Sequence, residues 1–101
     1  MINVVALITV KSGKREEFLT IFKANLPAVH AEVGCIEYFP AIDIELGVPT
    51  QEMDENVVTI IEKWETLDNL KAHGVAPHML AYKEKVKDIV ESVKLKVVVA
   101  A

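Results

Sequence analysis

The stretch INVVALITV, residues 2–10, decides the fold of this chain. It is apolar and rich in β-branched side chains, a composition that predicts a buried β-strand. Successive residues of a strand point to opposite faces of a sheet. One face of this strand would carry Ile2, Val4, Ala6, Ile8 and Val10. Val5 and Leu7 on the other face are apolar as well, so both faces of the sheet need a cover.

The segment after the first strand is predicted to be helical. Beyond a turn at residues 11–13, apolar residues recur at intervals of three and four, which predicts one helix over residues 14 to about 33. Pro27 lies inside this helix and should kink it, because proline lacks a backbone donor. Residues 35 to about 44 are predicted to form a second strand, in which Pro40 requires a bulge or a sheet edge.

The second half of the chain repeats this alternation after a loop over residues 45–55. Residues 57–64 are predicted to form a third strand. Thr66 can cap a short helix, and a longer helix begins near Pro77 and carries an apolar stripe from Met79 to Val93. A last strand is predicted over about residues 92–100.

The order β-α-β-β-α-β predicts one α+β domain over residues 1–101, with the split β-α-β, ferredoxin-like arrangement. Its helices would pack on one face of a four-stranded antiparallel sheet. The other apolar face would stay uncovered, because the chain holds no further segment to cover it. A second copy of the chain is the simplest cover. We therefore expect a homodimer through the sheet face without helices, and a substrate pocket on the other face, under the helices.

The composition narrows the possible partners and the location. Of the 101 residues, 51% are hydrophobic and 26% are charged, and the formal net charge is −4. An acidic balance argues against nucleic acid as a partner, because nucleic-acid binding needs a basic surface. No apolar run reaches the ~20 residues that span a membrane, and no signal-peptide pattern is seen. A lone cysteine, Cys35, cannot form an internal disulfide, so we expect a cytoplasmic protein.

The order and spacing of many residues resemble one known family. The most specific part lies between Glu62 and Tyr82, with Glu62–Glu65, Ala72–His73, Pro77–Met79 and Ala81–Tyr82. Further matches are Gly34, Cys35, Tyr38, Pro40, Asp43, Gly47, Gln51, Leu70 and Val86. Together these residues resemble the antibiotic-biosynthesis monooxygenase family, and within it the quinol monooxygenase branch, over residues 2–99.

The resemblance implies both a fold and a chemistry. It implies a dimeric α+β barrel, in which two ferredoxin-like sheets pack face to face, with a pocket between sheet and helices in each subunit. Family members oxidise quinols, polycyclic phenols or related aromatics with O2, many of them without metal, flavin or haem. Others in the wider superfamily degrade haem or isomerise small metabolites. Ala6, His73 and Lys83 stand where the haem-degrading branch has Asn, Trp and His, so haem degradation is not expected.

Two histidines flank the break over residues 74–77 between the last two helical pieces. Such breaks bring side chains to pocket rims, and a neutral imidazole can take a phenolic proton near neutral pH. His73 is the first candidate for this base, because the family motif has a His there, and His78 is the second. Glu62 lies in an apolar strand and could orient His73, as the carboxylate of a triad does. A packing or surface role is the alternative for each of the three.

Four further side chains are candidates for binding an aromatic substrate. Trp64 shares a strand face with Glu62 and could form a wall against a planar ring. Tyr38 and Tyr82 could hydrogen-bond a quinone oxygen. Met79 lies with Tyr82 on the apolar helix stripe and could fill the remaining space. Core packing is the alternative for Trp64, Tyr82 and Met79.

The sequence indicates neither a metal site nor a cofactor site. His73 and His78 lack the i, i+4 spacing of a zinc-binding helix, and no Gly-rich phosphate loop is present. The sequence thus predicts a cofactor-independent monooxygenase that oxidises a quinol-like or polyphenolic aromatic with O2. Two alternatives remain open: an isomerase or lyase acting on a small oxygenated metabolite, and a non-catalytic dimer that binds a small ligand.

Overall fold

The computed structural model describes all 101 residues, which form four strands and four helices. Their bounds are β1 Ile2–Val10, α1 Arg15–Ala24, α2 Leu26–His30, β2 Cys35–Ala41, β3 Val57–Trp64, α3 Leu67–Gly74, α4 Pro77–Val86 and β4 Val90–Val98. Thr66 begins α3 as predicted, because its hydroxyl accepts a hydrogen bond from the Asn69 backbone N–H at 3.1 Å.

The four strands form one antiparallel sheet in the order β2-β3-β1-β4. β1 lies in the centre and pairs with β3 on one side and with β4 on the other. This topology is the ferredoxin-like arrangement predicted from the sequence, so the predicted fold class is confirmed. Pro40 lies in β2, at an edge of the sheet, where its missing backbone donor interrupts no central ladder.

The helices pack on one face of the sheet and enclose the core there. Residues of β1 alternate between the two faces, and Val4 and Ile8 on the helix side are buried. Phe18 of α1 and Tyr82 of α4 belong to the same buried cluster, in contact edge to face with ring centroids 6.3 Å apart. The cluster also contains Trp64, which has no exposed surface.

The opposite face of the sheet has no helix and carries an apolar row across three strands. Phe39 of β2 pairs with Ile61 of β3, and Ile61 pairs with Val5 of β1. Phe39 is 43% exposed, and Val5 and Leu7 are each 39% exposed. A bare sheet face of this composition is unusual in a single chain, because antiparallel sheets alternate polar and apolar residues where one face meets water.

The prediction of a single helix over residues 14–33 is wrong. The structure has two helices there, α1 and α2, with Asn25 between them, and the second ends at His30. Pro27 lies in the first turn of α2, where a missing backbone N–H breaks no hydrogen bond. The proline therefore opens a new helix and does not kink a continuous one.

Two other predicted ends also differ from the structure. β2 ends at Ala41 and not near residue 44, which leaves residues 42–56 as the long connection to β3. Helix α4 ends at Val86, so Val93 belongs to β4 and not to the helix stripe. β1 pairs with β4 from Val10↔Val90 onward, and this pairing overrides the helical spacing of Val93. No helix has the combination of length and hydropathy that crossing a membrane requires.

Candidate active site

A cavity of about 500 Å³ lies on the helix-covered side of the sheet. This volume is within the range of small-molecule sites. Thirteen of the 19 residues that line the cavity are hydrophobic, so its walls suit an apolar ligand with few polar groups. Five of the seven predicted site residues line it, and these are Tyr38, Glu62, His73, Met79 and Tyr82.

His73 is a buried histidine in the last turn of α3. Its Nδ1 lies 2.7 Å from Oε2 of Glu32, and its ring packs against Trp64 and Tyr38 with centroid distances of 4.7 Å and 5.2 Å. A carboxylate only accepts hydrogen bonds, so we assign the hydrogen to Nδ1 of His73. The other ring nitrogen, Nε2, has no protein partner, and the ring lines the cavity. In this tautomer Nε2 carries the lone pair that can accept a proton.

His78 lies in the first turn of α4, outside the main cavity. It borders a smaller cleft of about 160 Å³ between α1 and α4. Its Nδ1 lies 3.2 Å from the amide nitrogen of Asn25. Its Nε2 lies 3.3 Å from Oε2 of Glu32, but the two are not aligned as a hydrogen bond, and this buried nitrogen has no other partner. Of the two histidines, His73 alone therefore faces the cavity.

Glu62 is a buried carboxyl on the helix-covered face of β3. Its Oε1 accepts a hydrogen bond from Nε1 of Trp64 at 2.9 Å. Burial raises the pKa of Glu62 above its ordinary range, although the Trp64 hydrogen bond and the nearby His73 oppose the rise. Glu62 was predicted to orient His73, but the hydrogen-bond partner of that ring is Glu32.

Trp64 lies behind the cavity wall and not in it. The side chain is fully buried, and it contacts Glu62 through its N–H and His73 through its ring. An aromatic ligand in the cavity would meet the residues that Trp64 supports and not Trp64 itself. The indole of Trp64 therefore packs in the core, which was the alternative to a role as a pocket wall.

Tyr38 and Tyr82 both line the cavity, and Phe22 holds them in place. Phe22 stacks on Tyr38 with ring centroids 5.5 Å apart and meets Tyr82 edge to face at 5.8 Å. Burial, together with the charge of Glu62, raises the pKa of both phenols above the ordinary value of 10. Both phenols therefore stay protonated near neutral pH and can donate hydrogen bonds to a ligand oxygen.

Glu32 is the residue of this site that the sequence did not predict. It lies in the turn between α2 and β2, 41 residues before His73, and no motif joins the two. The one sequence feature that points to Glu32 is its closeness to Gly34, because a glycine after a helix marks a turn, and a turn can orient neighbouring side chains. No group of three or more His, Cys, Asp or Glu side chains is arranged to hold a metal ion.

Comparison with known proteins shows which family this chain belongs to. Residues 1–85 match the family described as antibiotic biosynthesis monooxygenase. The chain belongs to this family. The "Probable quinol monooxygenase YgiN" of Escherichia coli strain K12 is 39% identical over 94 residues, which cover 90% of each chain. The family resemblance predicted from the sequence is confirmed, and with it the general class of a monooxygenase.

Solved structures of similar chains confirm the fold of this family member. A Nitrosomonas europaea protein assigned to the same family has a TM-score of 0.84 and 20% identity, with 99% of this chain and 98% of that chain covered. A Pseudomonas aeruginosa protein has a TM-score of 0.81 and 22% identity, with 99% and 93% covered. At these identities the similarity establishes the shared architecture.

Proposed function

We propose that this chain is a cofactor-independent monooxygenase that oxidises a quinol-like or polyphenolic aromatic with O2. The observation that carries the proposal is His73, whose Nδ1 is held by a carboxylate while its ring faces an apolar cavity. Membership of a monooxygenase family and 39% identity to a protein named as a probable quinol monooxygenase support the same reaction class.

The proposed chemistry needs only the substrate and O2. Nε2 of His73 removes a hydroxyl proton from the quinol, because an imidazole accepts protons near neutral pH. The anion gives one electron to O2, which leaves a substrate radical and superoxide. The two recombine through a new carbon–oxygen bond, and the peroxide takes back the proton and loses water. One quinol and one O2 thus give one hydroxylated quinone and one water.

The other cavity residues have supporting roles in this proposal. Tyr38 and Tyr82 donate hydrogen bonds to the substrate oxygens, since their phenols remain protonated. Met79 forms part of the apolar wall. The apolar lining keeps water away from the radical pair, which water would otherwise separate. Glu62, buried at the same wall, supplies a further polar group.

The proposed reaction is tested by O2 consumption. Protein treated with a chelator is mixed with a panel of hydroquinones, and O2 uptake is compared with buffer. We expect uptake with at least one quinol, and a His73→Gln variant should lose about 10²- to 10⁴-fold in kcat, the range of general-base catalysis. Asp68→Asn is the control, because Asp68 is exposed on the same helix as His73 and does not line the cavity.

Three outcomes would overturn the monooxygenase proposal. The first is that no quinol consumes O2 faster with the protein than in buffer. Product that forms equally well without O2 would identify an isomerase or lyase that uses the same base and cavity. Tight binding of a quinol without turnover would identify a non-catalytic ligand-binding protein. Full activity in His73→Gln would overturn the role of His73 alone.

We also propose that two copies of the chain pair through the sheet face without helices. The apolar row of Phe39, Ile61 and Val5 on that face supports this arrangement, since burying such side chains stabilises an interface. Sedimentation velocity should find a dimer, and Leu7→Lys should give a monomer. Leu80→Lys is the control, because Leu80 is 56% exposed but lies on α4. A monomeric wild type would overturn this proposal.

A further inference from the structure

Glu32 is a carboxylate enclosed between two helices. Its side chain is only 15% exposed, and that of His73 is 7% exposed. Its Oε2 lies 2.7 Å from Nδ1 of His73 on α3 and 3.3 Å from Nε2 of His78 on α4. A carboxylate that is removed from water needs a hydrogen-bond donor or an opposite charge to compensate for its lost hydration. The short contact with His73 is the compensation present here.

The backbone around Glu32 is fixed to the element that carries His73. The Glu32 N–H bonds to the carbonyl of Val29 at 3.0 Å, and the carbonyl of Gly34 accepts from the N–H of Glu65 at 2.8 Å. Glu65 lies at the junction of β3 and α3, so the turn and the start of α3 are joined directly. Gly34 has a φ of +80°, and a Cβ added to it would overlap the side chain of Asn69. The turn therefore approaches α3 as closely as a glycine allows.

The second carboxyl group near the His73 ring already has a different partner. Oε1 of Glu62 accepts from Nε1 of Trp64, and no hydrogen bond joins Glu62 to His73. Glu32 is the one carboxylate that bonds the ring, and it does so on the nitrogen that does not take the substrate proton. Its position is the one in which a carboxylate selects the tautomer of a histidine.

We infer that Glu32 is a positioning residue that holds His73 in the Nδ1–H tautomer and presents the Nε2 lone pair to the cavity. An isolated neutral imidazole favours the opposite tautomer, with the hydrogen on Nε2, in which Nε2 could not accept a proton. The negative charge of Glu32 also stabilises the imidazolium that forms after proton transfer. This second effect rests on the proposed function, whereas the tautomer does not.

The tautomer is measured directly by ¹⁵N NMR of the histidine rings in the full chain. His73→Gln identifies the His73 signals by their loss. We expect the wild type to show the Nδ1–H pattern for His73. Glu32→Ala should change it to the Nε2–H pattern, while Glu32→Gln should keep Nδ1–H, because the amide oxygen still accepts. Glu65→Ala is the control, since it removes an exposed carboxylate beside the same turn.

An Nε2–H pattern in the wild type, or an unchanged Nδ1–H pattern in Glu32→Ala, would overturn the inference. If Glu32→Ala does not fold, the steady-state kinetics of Glu32→Gln test the inference in its place. With a quinol that supports O2 uptake, we expect Glu32→Gln to lower kcat about 10- to 100-fold, the usual cost of losing such a supporting carboxylate, with KM nearly unchanged. Unchanged kcat would contradict the charge effect. Absence of O2 uptake in the wild type would contradict the proposed function and leave the NMR result standing.

Discussion

Glu62 and Glu32 are two buried carboxyl groups near the same histidine, but their surroundings differ. Glu62 lies in the middle of a strand and bonds the neutral indole of Trp64, two residues along the same strand. Glu32 lies in a turn and bonds His73, which is 41 residues away in the sequence and on another element. A neutral donor leaves the pKa of Glu62 raised by burial. The bond of Glu32 to His73 depends instead on the geometry of the turn.

The difference shows which parts of such a site a sequence can reveal. Residues i and i+2 of a strand share a face whatever the rest of the fold does, so the pairing of Glu62 and Trp64 follows from local periodicity. A turn and a helix 41 residues apart meet only through the tertiary structure. Breaking each contact separately should therefore give effects of different size and different pH dependence.

The largest effect should come from the turn that holds Glu32. Gly34→Ala forces a side chain into a left-handed conformation and into contact with Asn69. We expect the free energy of unfolding to fall by about 3–4 kcal/mol, the sum of a conformational cost and an overpacking cost. Urea unfolding followed by circular dichroism measures the change.

The matched control for this substitution is Gly13→Ala. Gly13 has nearly the same φ, +78°, but an added Cβ would meet nothing within 4 Å. We expect this variant to lose only about 1–2 kcal/mol, the conformational cost alone. Equal losses in the two variants would show that Asn69 accommodates the Cβ added at residue 34 without an overpacking cost.

The same distinction explains what could be predicted of this molecule. The strands and their faces follow from the alternation of apolar residues, and the position of the cavity follows from which face the helices cover. His73 and Tyr38 could be proposed because residue chemistry and family resemblance point to them. The place of Trp64 behind the wall and the contact of Glu32 could not, because each depends on how distant elements pack. The break at Asn25 has a local cause, because Pro27 opens a new helix there and does not kink a continuous one.

An intermediate effect should come from the strand pair. Trp64→Phe removes the N–H that Glu62 accepts from, and leaves a buried carboxyl group without its donor. We expect the free energy of unfolding to fall by about 2–3 kcal/mol at pH 7, from an unsatisfied polar group and lost packing together. A double-mutant cycle of Trp64→Phe with Glu62→Met, whose side chain has no acceptor oxygen, isolates the interaction. Additive losses in this cycle would mean that the hydrogen bond contributes nothing.

The smallest effect, and the most dependent on pH, should come from Glu62→Gln. Burial raises the pKa of Glu62 above 4.5 in the folded state, so folding favours its protonated form. The stability of the wild type is therefore full below pH 4.5 and falls as pH rises through the folded-state pKa. Glutamine does not titrate, and its amide oxygen can still accept from Trp64. We expect Glu62→Gln to match the wild type at pH 4 and to exceed it by about 1 kcal/mol at pH 8, a size ordinary for one substitution. Urea unfolding across this pH range measures the difference in the free energy of unfolding between variant and wild type. If that difference moved in favour of the wild type between pH 4 and pH 8, the sign of the predicted effect would be wrong.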